Sequence, residues 1–412
     1  MHDYSGHPGQ AQLSRALASR GYRVTHQHCP SYATGKGAVE RLPGDSPTLD
    51  FEPCPMGGRF RRYAVMARIA QEIGYGIRAG RMIASHEPSV AVLSNIPLLS
   101  HALVAWQLKR RRTPMIFWQQ DIYSVAIGTS ARKRLPLLGG LVARTAEAVE
   151  RQIARWSGSI VAIAPNFMEK LAEWGVAEKA AVIPNWAPIE EIGTHPRENE
   201  WSTGMGFSSA PLLLYSGTLG LKHDPSILAM IAEELSNEYP DASMVVISEG
   251  LGREWLEEWK RSKGADNLLL LDFLPYEEMP LVLASADLLI AILEPEASKY
   301  SVPSKVLTYM CSERPILAVM PSDNSVAGIL TDNDAGVVVD PRDRETIRAS
   351  MLALLSDADR RNDLGRAGRR YAEAAFSPER AADRFEALFE RWLNPGPSRL
   401  GRTRSRWLRA AE

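Results

Sequence analysis

Short apolar runs recur along this chain at intervals that leave room for a helix between each pair, and this rhythm restricts the fold more than any single motif. Val90 to Leu93, Met115 to Trp118, Ile160 to Ala164 and Val182 to Pro184 are each separated by longer helical stretches. Near-continuous apolar strands alternating with helices predict a parallel sheet covered on both faces. The stretch Pro188 to Pro211, which includes Gly193, Pro196, Asn199, Ser202, Gly204, Gly206, Ser208 and Ser209, breaks the rhythm and reads as a linker. The alternation restarts with Leu212 to Ser216, Met244 to Ser248, Leu268 to Leu271, Leu288 to Ile292, Ile316 to Val319 and Val337 to Val339. Two doubly wound α/β halves with a cleft between them is the simplest architecture. In such sheets ligands lie at the carboxyl ends of the strands.

Composition narrows the functional classes. The 412 residues, 45% hydrophobic and 24% charged, describe an ordinary globular chain too long for one typical core. A formal net charge of -1 argues against a general nucleic-acid binder. Cys29, Cys54 and Cys311 are far apart in sequence and show no metal-ligand spacing, so neither a disulfide scaffold nor a zinc site is expected, and a reducing cytoplasm fits. No apolar run approaches the roughly 18 residues that span a bilayer, and the first residues do not form a signal peptide.

The beginning is unusual. Asp3 to Gln10 reads as a loop entering a helix, with Pro8 near the first turn and Leu13, Ala16 and Leu17 on one apolar face. A preceding strand is missing from this reading, and Gly21 to Thr25 resembles a second strand. Either the fold starts with a loop or its first strand lies upstream.

Two segments have anion-binding character. In Leu212 to Pro225 an apolar strand runs into a turn containing Gly217 and Gly220, then Lys222 and a helix start. Glycines let the backbone approach a ligand, and helix N–H groups point at negative charge. In Ser298 to Met310, Pro303 suits the first turn of a helix, leaving the N–H groups around Ser304 and Lys305 free to face an anion. Two cations converging on one diphosphate is the functional reading. Solvated surface lysines fit the same residues.

Together these segments resemble glycosyltransferase family 4. The resemblance rests on Ser216-Gly217-Thr218-Leu219-Gly220-Leu221-Lys222, on Val302-Pro303-Ser304-Lys305 with Tyr309-Met310, on Val182-Ile183-Pro184-Asn185-Trp186, and on Gly6-His7-Pro8 with Leu13 to Ala18. It covers nearly the whole chain in order, and is most similar to the colanic-acid type of exopolysaccharide enzymes. It implies a GT-B fold: two Rossmann-like domains with a cleft between them, an acceptor-side domain over residues 1–190 and a sugar-nucleotide domain over 205–375. A C-terminal helix over 376–394 would pack back on the first domain, leaving a basic tail over 395–412. The implied reaction is metal-independent transfer with retention of anomeric configuration, and no cofactor is expected.

The carry-over is incomplete. Thr218 stands where many members have an arginine, while Lys222 keeps the lysine position. The usual Glu-x7-Glu pair falls on Tyr300 and Thr308, so neither carboxylate is present. Thr308 retains a hydroxyl, and Ser304 with Lys305 resembles a recurrent variant. Gln120 aligns with the acceptor-side histidine, leaving Asp121 as a candidate for orienting the acceptor; an N-cap role before Ile122 suits Asp121 equally. The resemblance therefore implies Lys222, Lys305 and Asp121 as catalytic candidates. It implies Gly217, Thr218, Lys222, Glu249, Leu274, Ser304, Lys305 and Thr308 for the donor, and Gly6, His7, Gln120 and Asp121 for the acceptor.

Lys109-Arg110-Arg111-Arg112 and Arg132-Lys133-Arg134 flank the acceptor-side loop in sequence, and the latter leads into the apolar Leu135 to Val142. Basic beside apolar residues suit a monotopic surface on anionic lipid; a solvated charge run beside a core helix fits as well. The expected function is transfer of a sugar from a nucleotide diphosphate donor, UDP-linked, to a lipid-linked or saccharide acceptor in surface polysaccharide assembly. The expected location is the cytoplasm or the inner face of the plasma membrane. The competing reading is a GT-B scaffold without activity, motivated by the missing carboxylates and arginine.

Overall fold

A computed structural model describes residues 1–31, 38–57, 65–207, 210–220, 223–295 and 300–393. Their strands form two parallel sheets. The first contains β1 (His2–Asp3), β2 (Val24–His28), β3 (Leu49–Pro53), β4 (Ala91–Ser94), β5 (Met115–Gln119), β6 (Ser159–Ala162) and β7 (Ala180–Val182), in the order β3-β2-β1-β4-β5-β6-β7. The second contains β8 (Leu212–Ser216), β9 (Ser243–Ile247), β10 (Leu268–Leu271), β11 (Leu288–Ile292), β12 (Ile316–Val319) and β13 (Val337–Val339), in the order β10-β9-β8-β11-β12-β13. In each sheet the order reverses beside the first strand, between β1 and β4 and between β8 and β11. These crevices are where a doubly wound sheet admits a ligand.

Helices cover the first sheet: α1 (Pro8–Ser19), α2 (Val65–Ser85), α3 (Leu98–Arg111), α4 (Tyr123–Arg134), α5 (Gly139–Trp156) and α6 (Phe167–Glu173). The expected linker contains a short helix, α7 (Glu200–Gly204), started by a reciprocal cap between Asn199 and Ser202. The second sheet carries α8 (Pro225–Glu238), α9 (Leu251–Lys263), α10 (Met279–Ala284), α11 (Ser304–Cys311), α12 (Ser325–Asp332), α13 (Arg344–Ser356) and α14 (Ala358–Ala375).

Burial on both faces explains the apolar runs. In β8, Leu212 and Leu214 join the core that continues into the first domain, whereas Leu213 and Tyr215 join a separate core on the opposite face. The last described helix, α15 (Pro378–Leu393), returns to α1. Phe385 meets Trp118 edge-on at 4.9 Å between ring centroids, and Phe389 meets Tyr22 at 5.8 Å. Arg20 pairs with Asp383 and Glu386.

The start of the chain corrects the sequence reading. A strand does precede α1, and it is the two-residue β1, paired with both β2 and β4. It escaped notice because its residues are polar, yet both are buried. His2 lies 3.4 Å from the Gln27 amide oxygen and 3.1 Å from the Tyr75 hydroxyl, so its ring nitrogens keep partners inside the core. The edge strand β3 was also missed, and its register sets His28 against Pro53. Cys29 and Cys54 therefore follow neighbouring strand ends as buried free thiols, despite their separation in sequence.

Candidate functional site

The loop leaving β8 is held open by glycine. Gly217 adopts φ +138, a conformation that L side chains rarely take, and its N–H donates to the Ile247 carbonyl at 3.0 Å. The next turn is fastened to the loop after β9: Leu219 N–H donates to the Glu249 carbonyl at 2.9 Å and the Ser248 hydroxyl at 3.1 Å, and Gly252 N–H returns to the Leu219 carbonyl at 3.0 Å. Gly250, at φ +104, allows this contact, because a Cβ there would stand 2.9 Å from the Leu219 oxygen. Gly250 and Gly252 were not singled out from sequence. Their short spacing immediately after an apolar strand is the signal that marks them.

From the other side of the crevice, α11 delivers Lys305. Its Nζ lies 3.8 Å from the centre of the Tyr215 ring and donates to the Tyr215 hydroxyl. A Cβ on Gly217 would sit 2.9 Å from that ammonium, so the glycine and the lysine, 88 positions apart in numbering, share one point in space. The lysine stem keeps some exposure, but the ammonium is enclosed, and desolvation draws its pKa down to about 7. Tyr309, one turn along α11, fixes the end of β8: its hydroxyl accepts from Ser216 N–H at 2.8 Å and donates to the Ser216 carbonyl at 3.2 Å. Burial holds the Tyr309 phenol far above its usual pKa, so it stays a neutral donor.

Other donor-side candidates are placed as follows. Pro303 is the N-cap of α11, with φ -70 and ψ 93, rather than its first helical residue. Ser304 is exposed at the helix start, and the Thr308 hydroxyl turns back to the Ser304 carbonyl at 3.4 Å. Thr218 is half-buried, and its carbonyl accepts from the Tyr215 hydroxyl at 3.3 Å. Glu249 lies on the loop that receives Leu219. Leu274 follows β10, two strands from β8, packed against the core. Lys222 lies outside the described residues, so the expected pairing of two lysines concerns a residue of undescribed position. Tyr300, at the first carboxylate position implied by the resemblance, contacts the first domain: its ring meets Phe167 edge-on at 6.1 Å.

The acceptor-side candidates gather at the other crevice. Gly6 adopts φ +71, and the loop is organised by buried Asp3. The Asp3 carboxylate accepts from His7 N–H at 2.7 Å, Ser5 N–H at 3.2 Å, the Ser5 hydroxyl at 3.0 Å and the Asn95 amide at 2.9 Å. Burial lowers the pKa of His7, opposed by the nearby Asp3. Gln120 exchanges two hydrogen bonds with Asn185, at 2.6 and 3.1 Å. Trp186 donates to Gln12 at 2.9 Å and stacks on Trp118 at 5.9 Å, joining this edge to α1.

Asp121 is not the N-cap of α4. That position is Ile122, without a side-chain cap, and the cap comes from α5: Glu150 accepts from Tyr123 N–H at 3.0 Å and Ser124 N–H at 2.8 Å. Asp121 is half-buried beside Gln120 at the carboxyl end of β5. Asp3 and Asn95 carried no pattern in the sequence, and the only cue for Glu150 is an acid on the inner face of an amphipathic helix. Burial raises the Glu150 pKa to about 7 against these hydrogen bonds. Its folded pKa exceeds its unfolded one, so the native state binds the extra proton and stability falls as pH rises from about 4.5 to 7. Glu150→Ala should destabilise by roughly 1–3 kcal/mol, because two helix N–H groups lose their acceptor. Glu150→Gln should recover part of that loss and flatten the pH dependence over this window; thermal melts from pH 4.5 to 8 check both.

Among the described residues no cluster of His, Cys, Asp or Glu has the geometry of a metal site, and no helix is long and apolar enough to cross a membrane.

Residues 7–186 match the family model described as "Glycosyl transferase 4-like domain", and residues 201–371 match that of "Glycosyl transferases group 1". The alpha-D-kanosaminyltransferase of Streptomyces kanamyceticus is 22% identical over 203 residues, 49% of this chain and 51% of that protein, so the chain spans about half the length of the curated relative it matches. Anabaena HepE in complex with UDP and glucose superposes with a TM-score of 0.68 at 16% identity, covering 94% of this chain and 98% of that one. Sucrose-phosphate synthase from Thermosynechococcus elongatus gives a TM-score of 0.71 at 16% identity, covering 95% and 94%. At such identities the likeness establishes a common fold.

Proposed function

The chain belongs to the family 4 glycosyltransferases and has the GT-B fold, and from that premise we propose that it moves a sugar from a nucleotide diphosphate donor, UDP-linked, to a lipid-linked or saccharide acceptor in cell-surface polysaccharide assembly. The observation that carries this reading is the contact of Lys305 with Gly217 at the crevice between β8 and β11. Breaking an anomeric bond leaves growing negative charge on the departing diphosphate. An ammonium fixed at a loop that lets backbone approach is preorganised for that charge. HepE was solved with UDP and glucose, which supports UDP as the nucleotide. In a retaining transfer the departing phosphate itself takes the acceptor proton on the same face, so no protein nucleophile is assigned. Gln120, Asp121, Gly6 and His7 are proposed to face the acceptor.

The test is donor-dependent release of UDP from a panel of UDP-sugars, with and without polyprenyl-phosphate-linked saccharides. Release stimulated by one acceptor supports the reading. The scaffold reading draws on Tyr300, which occupies a carboxylate position and packs against Phe167, and it predicts no release with any pair.

Proton linkage supplies a further expectation. Desolvation by burial draws the Lys305 pKa down to about 7, and a bound diphosphate favours its charged form. Above pH 7 nucleotide binding should therefore take up a proton, and affinity should fall by up to about tenfold per pH unit as pH rises. Calorimetry in buffers of different ionisation enthalpy reads the uptake, and Lys305→Met should abolish it.

A further inference from the structure

In the first domain α4 and α5 pack against each other as a hairpin. The helix α4 begins just beyond the carboxyl end of β5, the edge that also carries Gln120 and Asp121. Glu150 of α5 caps the first turn of α4, so Glu150 marks the level of that edge. From there α5 runs antiparallel to α4: a Cβ on Gly128 would meet Ala143, and one on Gly139 would meet the Ala131 carbonyl. The 12 residues of α4 correspond to a rise of about 18 Å, so the turn between the helices projects on the cleft side of the first domain.

That turn is apolar and open. Leu137 is 97% exposed, Leu141 64% and Leu138 58%, with Leu135 and Val142 exposed beside them. Residues 122–146 carry Arg132, Lys133, Arg134 and Arg144 and no acid, in a chain whose net charge is -1. By contrast, α3 runs from the carboxyl end of β4 toward the start of β5, which places Lys109, Arg110 and Arg111 at the opposite edge of the sheet. The two basic runs that flank one loop in sequence are therefore separated in space, and only the second lies on the cleft side.

We propose that the α4–α5 hairpin is a docking element for an anionic lipid bilayer, its leucine tip entering the boundary between headgroups and acyl chains while Arg132 and Arg144 face lipid phosphates. A projecting tip of exposed leucines suits a deformable hydrocarbon layer, which moulds itself around each side chain. Leucines flanked by Arg132 and Arg144, both exposed and without an intervening acid, match the composition of interfacial segments, which sink about 5–10 Å into the bilayer. Each cation near an anionic surface adds attraction that salt screens. Docking there turns the acceptor-side crevice toward the membrane surface. The proposal goes beyond the assigned reaction and does not depend on the identity of the donor.

The experiment is co-sedimentation of the full chain with vesicles of phosphatidylcholine alone or mixed equally with phosphatidylglycerol. Binding to the mixed vesicles is expected to exceed that to phosphatidylcholine by at least tenfold and to fall in high salt. L137E/L138E/L141E should lower it by at least tenfold with an unchanged melting temperature, since all three side chains are already exposed. R132Q/R144Q should reduce the preference for phosphatidylglycerol. Equal partition of the leucine variant and the wild type overturns the proposal, as does absence of binding to either vesicle. A wild-type dimer that the leucine variant converts to monomer also overturns it, because the tip would then be covered by a second copy.

Discussion

Lys305→Ala is expected to lower turnover by roughly a hundredfold to a thousandfold while leaving the protein folded. A unit charge about 4 Å from another contributes on the order of 4 kcal/mol at an effective dielectric near 20, before desolvation is subtracted. The desolvation is already visible, because enclosure over the Tyr215 ring draws the Lys305 pKa to about 7. The same fact predicts a gain in stability. The folded pKa lies below the unfolded value, so the unfolded state binds more protons between about pH 7 and 10, and wild-type stability should rise with pH across that window. Lys305→Met removes the buried ammonium and should melt higher than wild type at pH 7. Lost turnover with a raised melting temperature identifies a group kept for function at the expense of stability. Unchanged turnover removes Lys305 from the site.

Gly217→Val is expected to weaken nucleotide binding by at least tenfold. The backbone at φ +138 resists any side chain, at a cost of roughly 1–3 kcal/mol. A Cβ would also stand 2.9 Å from the Lys305 ammonium and 3.0 Å from its Cε, so the lysine must leave the loop that it faces. The two effects act on the same contact, and combining Gly217→Val with Lys305→Ala should cost much less than the sum of the single losses. Titration of the four proteins with UDP measures this coupling. Additive losses would mean that the two residues serve separate places.

The second sheet was legible almost residue for residue. Leu212 to Tyr215 and Leu288 to Ile292 are buried on both faces, so their sequences are unbroken apolar runs that periodicity recognises. The first sheet was read less fully for the opposite reason. The strand β1 consists of His2 and Asp3, which lie in the centre of the sheet and are satisfied by Gln27, Tyr75 and Asn95, residues distant in sequence. A buried polar residue with remote partners leaves no local pattern. The functional crevices divide in the same way. Gly217 and Lys305 stood out as candidates in the sequence because each lies beyond an apolar strand and opens a turn or helix. Glu150 and Tyr309 act through single hydrogen-bonding groups on otherwise ordinary helices, and only the folded chain shows what they hold. The N-cap reading of Asp121 failed because a residue from α5 reached the orphan N–H groups first.

Thermal unfolding in the presence of UDP, GDP and dTDP tests the central claim, that the Gly217 turn and Lys305 form a working nucleotide site. A ligand at about 100 times its dissociation constant stabilises the native state by about 2.7 kcal/mol, a shift of several degrees for a domain of this size. The account predicts a clear upward shift with UDP that Lys305→Ala largely removes. No shift with any of the three nucleotides, or an equal UDP shift in Lys305→Ala, would contradict it.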